Sequence, residues 1–452
     1  MLQAFANTFK IPDLRKRLLI TFGIIAVYRL GTFIPTPGIN GANLSLFFEN
    51  LARTQGGTLF GVMNLFSGGA IHRLTIFALG IMPYISSSII MQLLTVVIPQ
   101  LEKLAKEGEV GRKLINQYTR YGTIVLSVIQ SFFISLWLEN PSHFGGLEIV
   151  EFPGWAFRLL TVLTLTTGST FIMWLGEQIQ EKGIGNGMSL IISAGILSRV
   201  PTALFQIINL VNPRSSSRGQ MDPLTAVFML FIMVAAIVAV IMITQGERKI
   251  PVQYAKRVVG RKVFGGQSTF IPFKVNQGGV MPIIFAQSII LFPATIGIFV
   301  PNRMIQQVSS ALSSGTLGYT FLTMFLIVFF SYFYTAIAFN PVDVADNMKK
   351  YGGFIPGVRP GAPTAEYFDY IINRITLPGG IFLAGIAVAP DLLGRWLNVP
   401  HQVADFFGGT ALLIVVGVSL DTIKQIESQL LMRHYEGFMK RGRIRGRQQR
   451  AY

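Results

Sequence analysis

The sequence predicts an all-α polytopic membrane protein that crosses a bilayer ten times. Three observations predict it. The composition is too apolar and too poor in charge for a soluble chain, apolar runs of spanning length recur along it, and the basic residues gather on alternate connections between those runs. Of 452 residues, 51% are hydrophobic and 13% charged, whereas about a quarter of an ordinary soluble domain is charged. No polar stretch of domain size interrupts the chain.

A span needs about 20 mostly apolar residues, and residues 74–98, 121–138, 159–176, 223–246, 279–300 and 317–339 meet that requirement without internal charge. Four further runs carry charge. They are 18–35 with Arg29, 184–211 with Arg199, 375–397 with Asp391 and Arg395, and 406–426 with Asp421 and Lys424. In isolation each fits a buried or interfacial helix as well as a span. The loops favour spans: with all ten counted, both termini share one side, and most of the 38 Lys and Arg residues fall there. Cytoplasmic loops carry such an excess, so both termini are expected in the cytoplasm.

Residues 1–17 interleave Phe5, Phe9 and Leu14 with Lys10, Arg15, Lys16 and Arg17, which suits an interfacial amphipathic segment. A cleaved signal peptide is the competing reading. It is disfavoured because the apolar run continues to Pro35-Thr-Pro37 without a small-residue cleavage pattern. At the other end, 427–452 is a basic cytoplasmic tail.

Several function classes are excluded or disfavoured. With no cysteine, there are no disulfides or thiolate metal sites, and His72, His143, His401 and His434 are scattered, so neither metal nor cofactor is expected. The net charge of +17 fits basic loops facing an acidic partner or anionic leaflet better than it fits a soluble nucleic-acid binder. No HExxH, phosphate-loop lysine or paired His and acid within a span is present, which argues against an enzyme. The six uncharged spans lack the midplane ionisable groups that a proton- or sodium-driven carrier uses.

Between Gly56 and Arg73 lies a Gly-rich apolar segment, Thr58 to Ala70, too short to span and too apolar for an ordinary outer loop. It is either a re-entrant element, which requires burial in protein or a water-filled cavity, or a loop packed on the outer surface. Residues alone leave both open. Glycine and proline also interrupt spans, at Gly80 and Pro83, Pro282 and Pro293, and Gly379 and Gly380. The run Gly183-Ile-Gly-Asn-Gly187 lacks the preceding strand of a phosphate loop and reads as a helix start.

Two inner loops are longer than a connection needs. Residues 246–275 include Arg248, Lys249, Lys256, Arg257, Arg261 and Lys262, and 343–374 contain Gly352-Gly-Phe-Ile-Pro-Gly-Val-Arg-Pro-Gly361. Turn residues with exposed cations suggest protruding hairpins that dock a large acidic partner. Orientation alone is the simpler role.

Along nearly its whole length the chain resembles the SecY family of protein-conducting channels. The resemblance rests on Phe77-Ala-Leu-Gly-Ile-Met-Pro-Tyr-Ile-Ser86, Gln117-Tyr-Thr-Arg-Tyr-Gly122, Gly183-Ile-Gly-Asn-Gly-Met-Ser189, Tyr254-Ala-Lys-Arg257, Ile289-Ile-Leu-Phe-Pro-Ala-Thr295, Phe339-Asn-Pro341 with Ala345-Asp-Asn347, and Gly353 to Gly361. It implies two pseudosymmetric five-helix halves, 18–211 and 222–426, hinged outside around a central pore. It implies a re-entrant plug helix over 58–72, with Thr58, Leu59, Phe60, Val62, Met63, Asn64, Leu65, Phe66, Ser67, Gly68 and Gly69. It places a pore ring on Ile81, Ile85, Ile192, Ile284, Ile289 and Ile414, where branched apolar side chains would exclude ions without gripping a passing chain.

The resemblance further implies a lateral gate between the second and seventh spans, with Ser86 and Phe292 at the seam and Ser87, Ser88, Gln92 and Gln287 adding polar groups. The inner loops, with Arg359 foremost, become docking sites for a ribosome through its RNA or for a SecA-like motor ATPase. Small SecE-like and SecG-like subunits, signal peptides, preproteins and lipid complete the expected partners. The expected function is the central subunit of a channel that translocates unfolded preproteins and releases apolar segments sideways into lipid, in a bacterial plasma membrane rather than a thylakoid-type one. Alternatives are a small-solute secondary transporter with broken helices and a membrane scaffold. Two features depart from the resemblance: Pro251 beside the loop cations, and the outer loop 212–222.

Overall fold

A computed structural model of the chain describes residues 11–54, 67–211, 222–254, 257–259, 262–264, 268–299, 316–397 and 409–441. Helices occupy all ten expected span positions. In the first half these are α1 (Pro12–Gly31), α3 (Met82–Val97), α5 (Glu109–Leu138), α6 (Trp155–Lys182) and α7 (Gly187–Leu197), with α2 (Gly41–Thr54), α4 (Pro99–Lys106) and α8 (Val200–Val211) between or after them. The second half contributes α9 (Pro223–Gln245), α10 (Met281–Phe299), α11 (Leu317–Ala338), α13 (Ala362–Leu397) and α14 (Gly409–Arg441), with α12 (Pro341–Lys350) between α11 and α13. Among the described residues, seven helices are long and apolar enough to cross a bilayer, and the pair α3 and α4, bent by 101°, makes an eighth. α1 and α10 supply the other two positions.

Span edges differ from hydropathy in a consistent way. α5, α13 and α14 begin or end well outside the apolar windows, because charged residues that favour helix carry it on into water. The expected span 74–98 shows the opposite: Leu74–Ile81 is irregular, and helix starts only at Met82, with Pro83 in its first turn where a missing N–H costs nothing. The irregular backbone is satisfied by the α1–α2 connection. Thr36 N–H donates to the Leu74 carbonyl at 3.0 Å, and Ile76 N–H to the Ile34 carbonyl at 3.0 Å.

Close packing in the first half follows from small side chains. Thr119, Thr123, Ser127, Ser131 and Ser135 recur every fourth residue on α5 and are all buried. Thr123 and Ser127 each donate to the carbonyl one turn back at 2.7 Å, so burying these hydroxyls leaves no unmet donor. α3 lies against this face, where Ser87 Oγ donates to the Thr119 carbonyl at 2.8 Å. Gly168 of α6 touches backbone: a Cβ there would lie 1.9 Å from the Ile76 carbonyl oxygen.

The halves meet most extensively at two seams, α3 and α5 against α10, and α7 against α14. At the second seam Leu14, Leu18, Ile184 and Ile426 form one buried apolar cluster. Beside it, Gly185 N–H donates to Gln425 Oε1 at 2.9 Å, and Ile184 N–H to Thr21 Oγ1 at 3.0 Å.

Five short strands lie outside the spans. β1 (Glu247–Tyr254) pairs antiparallel with β4 (Ser268–Lys274) in register Ile250 to Ile271, and β2 (Arg257–Val259) with β3 (Lys262–Phe264). β5 (Gly353–Phe354) joins the other edge of β1, so the two long loops share one sheet in the order β4-β1-β5. Pro251 fits because β5 covers only Gln253 and Tyr254, leaving that edge of β1 free where the missing N–H would point. Ile250, Val252, Phe273, Met348, Ile355 and Phe368 form the platform's core.

Candidate functional site

The six isoleucines expected in the pore ring lie on or beside four elements. Ile81 is the residue before α3 and Ile85 lies one turn on. Ile192 sits on α7, Ile284 and Ile289 on α10, and Ile414 on α14. Five are buried, with Ile414 fully so, in one apolar cluster drawn from both halves, and Ile289 packs against it half-buried. Their side chains carry no polar atom and have restricted χ1, so the space they close is apolar and stiff.

At the α3–α10 seam the polar residues bond within their own halves. Ser87 is 2% exposed and spends its hydroxyl on α5. Gln92 Nε2 donates to Ser88 Oγ at 3.2 Å along α3. Gln287, also buried, exchanges a 3.4 Å hydrogen bond with Tyr319 of α11. Ser86 is half-buried. Phe292 belongs to α10, and its side chain lies outside the described residues.

Of the expected plug, Thr58 to Phe66 lie outside the described residues, and Ser67, Gly68 and Gly69 form a turn. Gly68 and Gly69 adopt φ of +64° and +94°, conformations that favour glycine. Arg29 Nη1 donates to the Gly68 carbonyl at 3.0 Å, and Tyr28 Oη to the Ser67 carbonyl at 3.4 Å.

On the platform, Arg248, Lys249 and Arg359 are exposed. Lys249 pairs with Glu247 at 3.3 Å, and the Arg359 carbonyl accepts from Thr364 Oγ1 at 2.8 Å, which fixes the backbone beneath an exposed guanidinium arm. Arg257 and Lys262 stand on the β2–β3 hairpin with side chains outside the described residues, as Lys256 and Arg261 are altogether. Nearby, Lys106 holds the Glu102 carboxyl below its ordinary range through a 2.7 Å hydrogen bond, and the same contact raises the lysine. Among the described residues, no group of three or more His, Asp or Glu is placed to hold a metal.

Sequence reasoning missed the Gln425–Gly185 contact and the role of Tyr28. Arg29 carried a signal, as an ionisable residue inside a span. Gln425 carried none, because its partner lies 240 residues away.

A family model described as SecY matches residues 75–423. The chain is 47% identical to the protein translocase subunit SecY of Streptomyces coelicolor over 97% of its own length and 100% of the relative's. It is 45% identical to the corresponding subunit of Aquifex aeolicus, covering 96% and 98% of the two chains. Among solved structures, one described as a protein conducting channel shares the fold with a TM-score of 0.63 at 15% identity, covering 93% of this chain and 96% of the other. Another, of a SecY protein whose plug domain stabilises the closed state, has a TM-score of 0.61 at 16% identity, with the same 93% and 96% covered. On the full-length identity and the family match together, the chain belongs to the SecY family.

Proposed function

We propose that this multi-pass membrane protein is the central, non-enzymatic channel subunit of a protein translocase, passing unfolded preproteins across the membrane and releasing apolar segments sideways into lipid. One observation carries the reading: the two helical halves share one buried apolar cluster, and the branched side chains of Ile81, Ile85, Ile192, Ile284 and Ile414, contributed by both halves, all belong to it. Such a constriction blocks ions at rest and offers a polar chain no binding site at which to stall.

The seam between α3 and α10 supports a lateral gate, because Ser87, Ser88, Gln92 and Gln287 keep their hydrogen bonds when the halves part. Parting then costs mainly apolar contact, which lipid replaces. Segment choice follows transfer free energy: residues such as Leu or Ile at the centre of a segment favour lipid, and charged ones oppose it.

The shared sheet supports docking, since it sets Arg248, Lys249 and Arg359 on one rigid base. A translating ribosome, through its RNA, and a SecA-like motor ATPase are the partners proposed there. A channel similar in fold, at TM-score 0.59 and 15% identity, comes from a canine ribosome-channel complex of the endoplasmic reticulum. SecE-like and SecG-like subunits are proposed as small membrane partners, with signal peptides as gating ligands. The membrane proposed is a bacterial plasma membrane, with both termini and the basic loops cytoplasmic.

Reconstitution with those subunits, a motor ATPase and a labelled preprotein is expected to give ATP-dependent protection of the preprotein from protease. Absence of protection would overturn the channel reading. In the cysteine-free background, Ser86→Cys with Phe292→Cys, once oxidised, is expected to block export of a signal-bearing substrate. Unimpaired export at complete crosslinking would refute the gate.

A further inference from the structure

The first turn of α6 carries Arg158, a guanidinium that the channel reading leaves without a task. By span count this end of the helix lies opposite the β1–β5 platform. Arg158 Nε donates to Glu139 Oε2 at 2.8 Å, and Nη2 reaches the same oxygen at 2.6 Å. The other carboxylate oxygen accepts from Gly154 N–H at 2.9 Å. With both oxygens engaged and the Glu139 side chain only 10% exposed, the pair holds the guanidinium in one orientation. Among the described residues Nη1 has no partner. The guanidinium also lies 5.1 Å from the centre of the Trp155 ring, and Trp155 is 67% exposed, as aromatic residues at a membrane interface are.

Beside this pair, α5 and α6 enclose a groove of about 370 Å³. Its walls are Val128, Ile129, Phe132 and Phe133 of α5 and Leu159 and Val162 of α6, with Arg158 and Trp155 at one end. Val128, Ile129 and Leu159 are exposed on spanning helices, so bilayer hydrocarbon is the solvent they meet. From Trp155 to Val162 the groove follows about 10 Å of helix, most of one leaflet's hydrocarbon of about 15 Å. A second helix packs closely where small residues let the backbones approach. These walls are branched and aromatic, which holds a partner backbone off, and a partner helix would also cover the open edge of Arg158. A flexible hydrocarbon chain fits a narrow groove of this outline, and a phosphate at its head fits that open edge.

We propose that the α5–α6 groove is a specific phospholipid site, with one acyl chain lying between the two helices and the phosphate held by Arg158. Lipid touches every exposed span. Two features set this groove apart, a concave apolar wall and a cation fixed at headgroup depth by Glu139. α9 provides the contrast within the same chain: Leu224, Val227 and Phe231 are at least as exposed, and no cation stands among them.

The test uses the full chain with its small partner subunits in phospholipid vesicles. A small fraction of the lipid is phosphatidylglycerol with a diazirine on one acyl chain or, in a parallel sample, diacylglycerol with the same chains and no phosphate. After photolysis, labelling of peptides covering 128–133 and 155–162 is compared with labelling of 224–242 in α9. The phospholipid is expected to label the groove about tenfold more than α9 and about tenfold more than the neutral lipid does, the factor that one charged hydrogen bond gives. Val128→Trp fills the groove without touching Arg158 and is expected to bring its labelling down to that of α9. Val125→Trp, one turn away and outside the groove, is expected to leave it unchanged. Arg158→Gln with Glu139→Gln removes the cation without stranding a carboxylate and is expected to erase the difference between the two lipids. Parental labelling of α9 shows that a variant folds; if the double variant does not, the two tryptophan variants decide. Equal labelling of groove and α9 in the parent would overturn the site, leaving ordinary bilayer contact. Labelling below that of α9 would overturn it in favour of a partner helix over the groove, and equal labelling by the two lipids would overturn the phosphate contact.

Discussion

The seam between α7 and α14 joins the two halves, and its two components can be ranked. Gly185 N–H donates to Gln425 Oε1 at 2.9 Å, but Gln425 is exposed. Gln425→Leu removes the acceptor at near-constant size. Gly185 is buried, and the position its Cβ would take is crowded by Leu190 Cδ1 at 2.7 Å and Thr422 Oγ1 at 3.1 Å. With its acceptor on an exposed side chain, the amide loses a bond that water partly replaces, so the cost is that of a partly rehydrated donor, about 1 kcal/mol. Ile426, 5% exposed, instead fills the cluster with Leu14, Leu18 and Ile184. Ile426→Ala removes three carbons from a closed site and is expected to cost about 2–5 kcal/mol. The assay is reversible unfolding by denaturing detergent in mixed micelles, followed by circular dichroism, with the double variant included to measure coupling. The expected order is parent, Gln425→Leu, then Ile426→Ala. A Gln425→Leu loss equal to or larger than that of Ile426→Ala would refute the reasoning that apolar burial, not the hydrogen bond, closes this seam.

Other outcomes follow from single contacts. Arg359→Glu leaves membrane insertion and stability unchanged, since the side chain is exposed, but disables motor-driven translocation of a labelled preprotein; normal translocation would remove the docking role. Gly168→Ala places a methyl 1.9 Å from the Ile76 carbonyl oxygen and is expected to destabilise by about 1–3 kcal/mol, whereas Gly23→Ala, with nothing within 4 Å, is neutral or stabilising in the same detergent titration. The Glu102 carboxyl, lowered by Lys106, keeps its link above the ordinary carboxylate range and loses it as pH falls through the lowered value. Isotope-edited infrared titration is expected to show that depressed midpoint, and Lys106→Ala to return it to the ordinary range.

Much of the fold was legible because lipid imposes a length and a polarity on each span. Charge alternation on the loops rescued runs 18–35, 184–211, 375–397 and 406–426, and each coincides with a helix. The irregular stretch from Leu74 to Ile81 was not legible, since hydropathy reports apolarity and not conformation. Its backbone is tolerated because the α1–α2 connection supplies partners far away in sequence. The two long basic loops were visible as excess length and charge, but their union in one sheet depends on Gln253 meeting Phe354 about a hundred residues away.

Sequence motifs singled out the isoleucines expected in a ring and the residues expected at a gate, yet side-chain direction lay beyond them. Ser87, read as a seam residue, faces α5, because the small stripe on that helix draws α3 close enough for its hydroxyl to reach the Thr119 carbonyl. By itself, then, the sequence determined what the membrane enforces locally: ten apolar segments, the sided charge and the positions of the breaks between them. Tertiary structure alone decided which of those segments touch. The Arg29–Gly68 and Gln425–Gly185 contacts and the single apolar cluster spanning both halves join residues distant in the chain, and no local pattern records a contact whose partner is set by packing.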